Sequence, residues 1–383
     1  MEHLVNKFYE GNALMVKRIA FVIVMILLVL LPTAPVHAAD LATSCTTLLK
    51  GGWSSNVCTI PVGITGEVPS GVTLGVQLGE TIDVKGTLNI NGSLSLQGGT
   101  LSNNGTTNNN GNIDNYSTPT AQQYGLKNYS TFNNNGSITI TANTVLYNFG
   151  VFINADAKGA SLIVKGEFDN LYVSGYSGAF TNQALGSLSL FDSGSYIADQ
   201  FTSTTNYGKI EINGSNAKIE VYSLTNHGTI NNLGGTFIGV DLTNSSTGTM
   251  FNDLYANWTC GTSDSSKLDN EGSFTNLYYL YINHKCVFTN KSGATFLNKG
   301  ITYIGENDGT APFGKLLNQG TVTNSGESAK IILTSNGTNT EGVYLLNDND
   351  AVITNAQGGV IELGLYSGLY NTGTIEHLSL IHI

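Results

Sequence analysis

Positive charge is what this sequence has least of. Arg18 is the only arginine in 383 residues, and charged side chains make up 11% of the chain. Setting aside residues 1–38 removes Lys7, Lys17, Arg18, Glu2 and Glu10. That leaves 13 basic and 25 acidic side chains, a net charge of −12. Nucleic-acid phosphates demand Lys and Arg contacts, so this composition excludes a nucleic-acid partner. An acidic surface suits a soluble extracellular protein instead. Helical spacing of apolar residues is also missing beyond residue 38, and proline is rare after Pro69. Beyond the leader no apolar run approaches the ~20 residues that a membrane-spanning helix needs. Only four cysteines occur, Cys45, Cys58, Cys260 and Cys286, and no pair has CxxC spacing. With few histidines near them, metal ligation is not expected. An even count in a secreted chain reads as disulfides, and pairing neighbours, Cys45–Cys58 and Cys260–Cys286, is the simplest of three connectivities.

Both ends are set apart. Lys17-Arg18 precede the apolar run Ile19–Leu31, and Val36-His37-Ala38 supplies small residues at a cleavage site. A secretory signal peptide over 1–38 is expected, with Met15 as an alternative start. Residues 378–383, LSLIHI, match the translation of a transposon-end sequencing adapter. The natural chain is therefore expected to continue past His377, and any anchoring would lie there.

What is present in abundance is Gly, Asn, Ser and Thr, in a regular order. LTNHGTINNLGG begins at Leu224, LDNEGSFTNLYY at Leu268, LLNQGTVTNSGE at Leu316 and LYNTGTI at Leu369. Around them, apolar and polar residues alternate, as in KIEI from Lys209 and KIEV from Lys218. Period-two alternation means strands with one buried face. Asn206, Asn226 and Asn244 follow one another at 20 and 18 residues, Asn270 and Asn290 at 20, and Asn298 and Asn318 at 20; Asn371 ends the series. A period near 20 built from short strands is the mark of a parallel β-solenoid, each coil lying about 4.8 Å above the last.

At the end of each such strand the chain must turn. An inward Asn donates and accepts at once, so Asn residues on adjacent coils are expected to bond into a ladder. The glycine two positions later is read as supplying positive φ. A second asparagine follows six or eight residues on, as in Asn226/Asn232, Asn270/Asn276, Asn318/Asn324 and Asn347/Asn355, and marks a second corner. At ~20 residues per coil, about 310 residues would build a rod of roughly 70–75 Å.

VPSGVTLGV at Val68, VKGTLNINGSLSLQGGTLSNNGT at Val84 and the N-x-G-T-I units resemble secreted right-handed parallel β-helix proteins, the pectin-lyase-like surface and adhesin-like group. The resemblance covers residues 61–377 and leaves 39–60 as an N-terminal cap. It implies an all-β, single-stranded parallel β-helix at the cell surface, structural or adhesive, whose partners are cell-envelope components, surface proteins or glycans. It does not imply a site, because the repeat encodes corners and core. Enzymes of similar shape use Arg with Asp-bound calcium, or a Gly-His-Gly and an Arg-x-Lys element, and none of these occurs. The chain is accordingly expected to be non-catalytic and without a cofactor. A polysaccharide-cleaving enzyme and a passenger domain of a larger secreted protein are the alternatives. His227 and His284 sit in corners and read as solvated. The acidic turns at Gly305 and Asn347 lack an EF-hand pattern. Ten Asn-x-Ser/Thr sequons occur, no more than this composition produces by chance. In NLYYLYINHK, Tyr279 and Tyr281 share the face opposite Leu280 and Ile282 and are the candidate sugar contacts.

Overall fold

A computed structural model describes residues 40–116, 125–157, 159–260, 266–283, 285–305, 314–334, 342–356, 358–364 and 366–377. The expected signal peptide, the terminal hexapeptide, His284 and most of the acidic turn after Gly305 lie outside these residues.

The chain winds as a parallel β-solenoid of about 13 turns. A representative coil is Thr81–Val84, Thr87–Ile90 and Ser93–Gln97. Its three strands give three faces with a bend between each pair. Strands of the third face stack into one 14-stranded sheet. The first and second faces join as a 27-stranded sheet. They merge because Lys218–Asn226 and Thr236–Asn244 run through the corner without breaking.

A turn takes about 22 residues rather than 20. Fourteen strands in the third face have thirteen steps of ~4.8 Å, so the stack is about 62 Å long, shorter than the 70–75 Å expected. The extra residues sit at the bends, where they widen a coil without adding height.

Alternation does what the pattern requires. In Lys209–Asn213, Ile210 and Ile212 are buried and their neighbours face out. Stacked coils then bury like on like. Phe132 lies parallel to Phe152, ring centroids 4.9 Å apart, and Phe168 meets Phe180 in its own coil and Tyr196 in the coil above. Such aromatic contacts add to the area each ring removes from water.

The lower end is closed by the helix Leu41–Thr47. Asp40 caps it, its carboxylate accepting from the Thr43 backbone N–H at 3.1 Å. Leu41, Cys45 and Leu49 are buried in the same core as the first coil. Cys45 is joined to Cys58, Cα atoms 5.5 Å apart. Val57–Ile60 already pairs in parallel with Thr81–Val84, so the first coil begins at Val57 rather than at 61. Cys260 and Cys286 are bridged as well, from the end of one coil's first strand to the start of the next coil's second strand.

Among the described residues, three buried asparagine ladders run along the corners. At the corner between the second and third faces, Asn109, Asn134, Asn154, Asn182, Asn206, Asn226, Asn244, Asn270, Asn290, Asn318, Asn347 and Asn371 are joined side chain to side chain at 2.7–2.9 Å. Asn103, Asn128, Asn148 and Asn170 form a shorter ladder at the corner after the first face. Asn232, Asn252, Asn276, Asn298, Asn324 and Asn355 form a third, at the corner after the third face. Asn298 therefore does not share a ladder with Asn318. Their 20-residue interval does not measure one coil, because it connects two different corners.

Every rung of these buried ladders points the same way, Nδ2 donating upward to Oδ1 of the next coil, while the outward-facing asparagines Asn133–Asn108–Asn89 and Asn135–Asn110–Asn91 donate downward. The second amide hydrogen goes to a backbone carbonyl, as Asn226 to Thr249 at 3.3 Å. The ladders also need ends. Beneath Asn103 and Asn109 the chain offers Val84 and Ile90, and the Oδ1 of each is buried without a partner. At the top of the first ladder Tyr196 takes over: its buried hydroxyl bonds Thr204 Oγ1 at 2.5 Å and also engages Asn170. Burial pushes that phenol well above its ordinary range.

The glycine of N-x-G adopts positive φ after the third face, in Gly234 and Gly326, but not after the second face. Gly208, Gly228, Gly272 and Gly320 all lie outside that region. There it is required for a different reason, close approach between coils. A Cβ on Gly228 would overlap the carbonyl oxygen of Gly208 and stand 2.5 Å from that of Tyr207.

Candidate functional site

With the ladders and core turned inward, chemistry is left to the outward positions. Two clusters stand out, both on or beside the first face.

The first centres on the strand Glu167–Asn170, whose outward residues are Glu167 and Asp169. In register below them are Val145 and Tyr147; above them are Ser195 and Ile197. Asp169 is thus sandwiched between a tyrosine ring and an isoleucine, and its Oδ1 is buried without a hydrogen-bond partner. Burial first, then the charge of Glu167 and a hydrogen bond with it, push the Asp169 carboxyl up to about 7. Burial, and after it the two carboxylates, also raise the Tyr147 phenol. A cleft of about 410 Å³ opens beside them, lined by Asn143, Thr144, Tyr147, Lys165, Glu167 and Ser195. Lys165 is engaged with Asp192 at 3.6 Å.

The sign of the resulting pH effect follows from the direction of the shift. An acid whose folded pKa lies above its ordinary 3.8 holds its proton more tightly in the native state. Stability is full below about pH 4, falls as pH rises toward about 7, and is level above that. Asp169→Asn should flatten this slope. Thermal melts at pH 4, 6 and 8 check it, and an unchanged slope in the variant would remove Asp169 as its source.

Directly after Asn170 the chain leaves the coil. Tyr172–Val173 and Tyr176–Ser177 pair as an antiparallel hairpin with Gly175 at φ +90 in its turn. Tyr172 packs on Phe201, centroids 4.9 Å apart, and Tyr176 meets Tyr129 edge-on at 5.8 Å. Tyr129 in turn stacks on Phe149 at 5.0 Å. Tyr172, Tyr176 and Phe201 remain 45%, 47% and 58% exposed.

The second cluster contains the tyrosines singled out by sequence. Leu280 and Ile282 are buried, and Tyr279 and Tyr281 face outward as expected. Tyr303, one coil above, lies parallel to Tyr281 at 5.4 Å, so one face of the Tyr281 ring is occupied by its neighbour. Tyr278 and Tyr255 extend the cluster downward.

Other sequence candidates fall elsewhere. His227 stacks on Tyr207 at an outer corner, centroids 4.7 Å apart. Asn347 belongs to a ladder, and among the described residues no group of three or more His, Cys, Asp or Glu side chains is placed to hold a metal. Of the sequons, Asn115, Asn128, Asn244 and Asn290 are buried in the coil, where no glycan fits; Asn91 and Asn104 are exposed. Sequence reading missed Glu167 and Asp169 because E-x-D on a strand is ordinary here. Aligning coils would have found them, since Tyr147 sits one coil, 22 residues, before Asp169.

No known family matches the chain, and no curated protein is similar to it.

Proposed function

We propose that the chain is a secreted or cell-surface structural protein, non-catalytic and adhesive, whose solenoid is a stiff body that presents its outer faces to envelope or extracellular partners. The observation that carries this reading is the in-register stack of about 13 turns tied by amide ladders. It spends its polar side chains on rigidity and leaves the outward positions free to vary. Two disulfides support an oxidising compartment. Among the described residues no helix is long and apolar enough to cross a membrane. The resemblance to pectin-lyase-like adhesins agrees with this reading through its repeat grammar. Expression from the native leader in a secreting host, followed by fractionation and N-terminal sequencing, tests it. The expected result is an oxidised protein outside the cell beginning at Ala39; a reduced protein retained inside would sink the proposal.

A second reading, a polysaccharide-cleaving enzyme, is favoured by one feature. The raised Asp169 carboxyl, hydrogen-bonded to Glu167 at the edge of a cleft, is a proton donor of the kind glycoside hydrolysis needs as its acid. Release of reducing ends from a panel of polysaccharides, abolished by Glu167→Gln, would establish it in place of the first.

A further inference from the structure

We infer that the aromatic corner around the Tyr172–Ser177 hairpin is a binding site for an uncharged polysaccharide chain. This rests on the reading that the protein works through its outer surface, and it names the surface and the ligand class.

The rings occupy one corner of four successive coils. Tyr129 and Phe149 follow ladder residues Asn128 and Asn148; the hairpin follows Asn170; Phe201 stands at the same corner one coil higher. Three coil steps make a strip about 14 Å long parallel to the solenoid axis. A row of this shape fits a linear polymer better than a compact knob on a protein partner. The rings are held in place rather than flexible. Tyr172 leans on Phe201, Tyr176 on Tyr129, and Ser177 Oγ donates to the Phe201 carbonyl at 2.5 Å. A rigid aromatic surface loses little freedom on binding, and about half of each exposed ring is open to pack against the C–H face of a sugar.

Polar groups for hydroxyls lie alongside. Glu167 and Tyr147 border the 410 Å³ cleft, and Asp199 and Glu220 border a second of about 290 Å³ that begins at Leu171, next to the hairpin. Glu167, Asp199 and Glu220 are acidic acceptors, and the Tyr147 phenol is a neutral donor or acceptor. Lys165 is already held by Asp192, and Glu220 by Lys218 at 2.6 Å. Around this corner Glu167, Asp169, Asp192, Asp199 and Glu220 outnumber Lys127, Lys165 and Lys218, which disfavours uronate and sulfate polymers and favours chains without charge. The tyrosines at 279, 281 and 303 make a weaker case, because Tyr281 and Tyr303 cover each other.

Pull-down of the purified oxidised protein on insoluble β-1,4-glucan, chitin and xylan tests the site, with polygalacturonate as the anionic comparison. At least one uncharged polymer should retain the protein, and polygalacturonate should not. Replacing both Tyr172 and Phe201 with Ala should weaken retention about ten-fold or more. Both side chains are exposed, so the melting curve should not move. Tyr281→Ala should leave retention unchanged. Retention of none of the three uncharged polymers, retention untouched by the double variant, or preference for polygalacturonate would each overturn the inference. Because purified protein is used, these outcomes are independent of secretion: a protein that binds but is not exported defeats the proposed compartment alone.

Discussion

Asn226→Leu should destabilise the solenoid by roughly 1–3 kcal/mol, the cost of a buried group left without a partner. Leucine nearly matches the volume but removes both ends of the amide. Asn244 Oδ1 loses its donor at 2.8 Å, and Asn206 Nδ2 loses its shortest acceptor, keeping the Gly208 and Thr229 carbonyls at 3.2 Å. Both partners are fully buried, so water cannot replace what is lost. The Gly228 carbonyl also loses a donor at 3.1 Å. Glu220 faces out on the same stretch of chain, and Glu220→Ala should change stability by no more than about ±0.5 kcal/mol. Denaturant melts of the two variants make the comparison. Equal shifts would mean that the ladder contributes no more than a solvated surface residue, and the account of the corners would fail.

Gly228→Ala is expected to be as damaging for a reason unrelated to φ. The added methyl would overlap the Gly208 carbonyl and stand 2.5 Å and 2.6 Å from the Tyr207 carbonyl oxygen and carbon. These are backbone atoms of the coil below, so no side chain can swing aside. The two coils must separate locally, which strains the ladder bond at the same corner. The cost should reach the upper end of overpacking, about 3 kcal/mol. Gly52→Ala, with nothing within 4 Å of the new carbon, should be nearly silent. If Gly228→Ala melts like wild type while Gly52→Ala does not, close approach between coils is the wrong explanation for N-x-G.

The architecture was legible because strand alternation and corner asparagines are local signals repeated many times. Asn226 and Asn232 announce two corners in a single twelve-residue stretch, and the structure places them in two ladders. The coil length was less legible, because insertions at bends, such as the hairpin before Gly178, stretch the period without disturbing register. The N-x-G glycine was legible as a constraint but not in its cause. That cause is the backbone of the neighbouring coil, which a single coil's sequence does not display. The candidate site was the least legible part. Glu167, Asp169 and Tyr147 become neighbours only once coils are stacked, and the rings of Tyr129, Phe149, Tyr172 and Phe201 are scattered over more than 70 residues of chain.

A molecule built from near-identical coils faces a counting problem while it forms. Sliding one segment past another by a full coil would still set asparagine on asparagine, so the long ladder by itself does not fix the index of any rung. The two partial ladders do. The corner that carries Asn103 to Asn170 is taken over by Tyr196 and Ala198, while the corner after the third face holds a single buried Asn115 between Leu96 and Ile140 and a continuous ladder only from Asn232 onward. A slip across that changeover would bury an amide against an aliphatic side chain, as already happens beneath Asn103 and Asn109. The misfit penalises miscounted winding, and the switch between ladders serves as an internal index mark that tells the growing stack which coil it has reached.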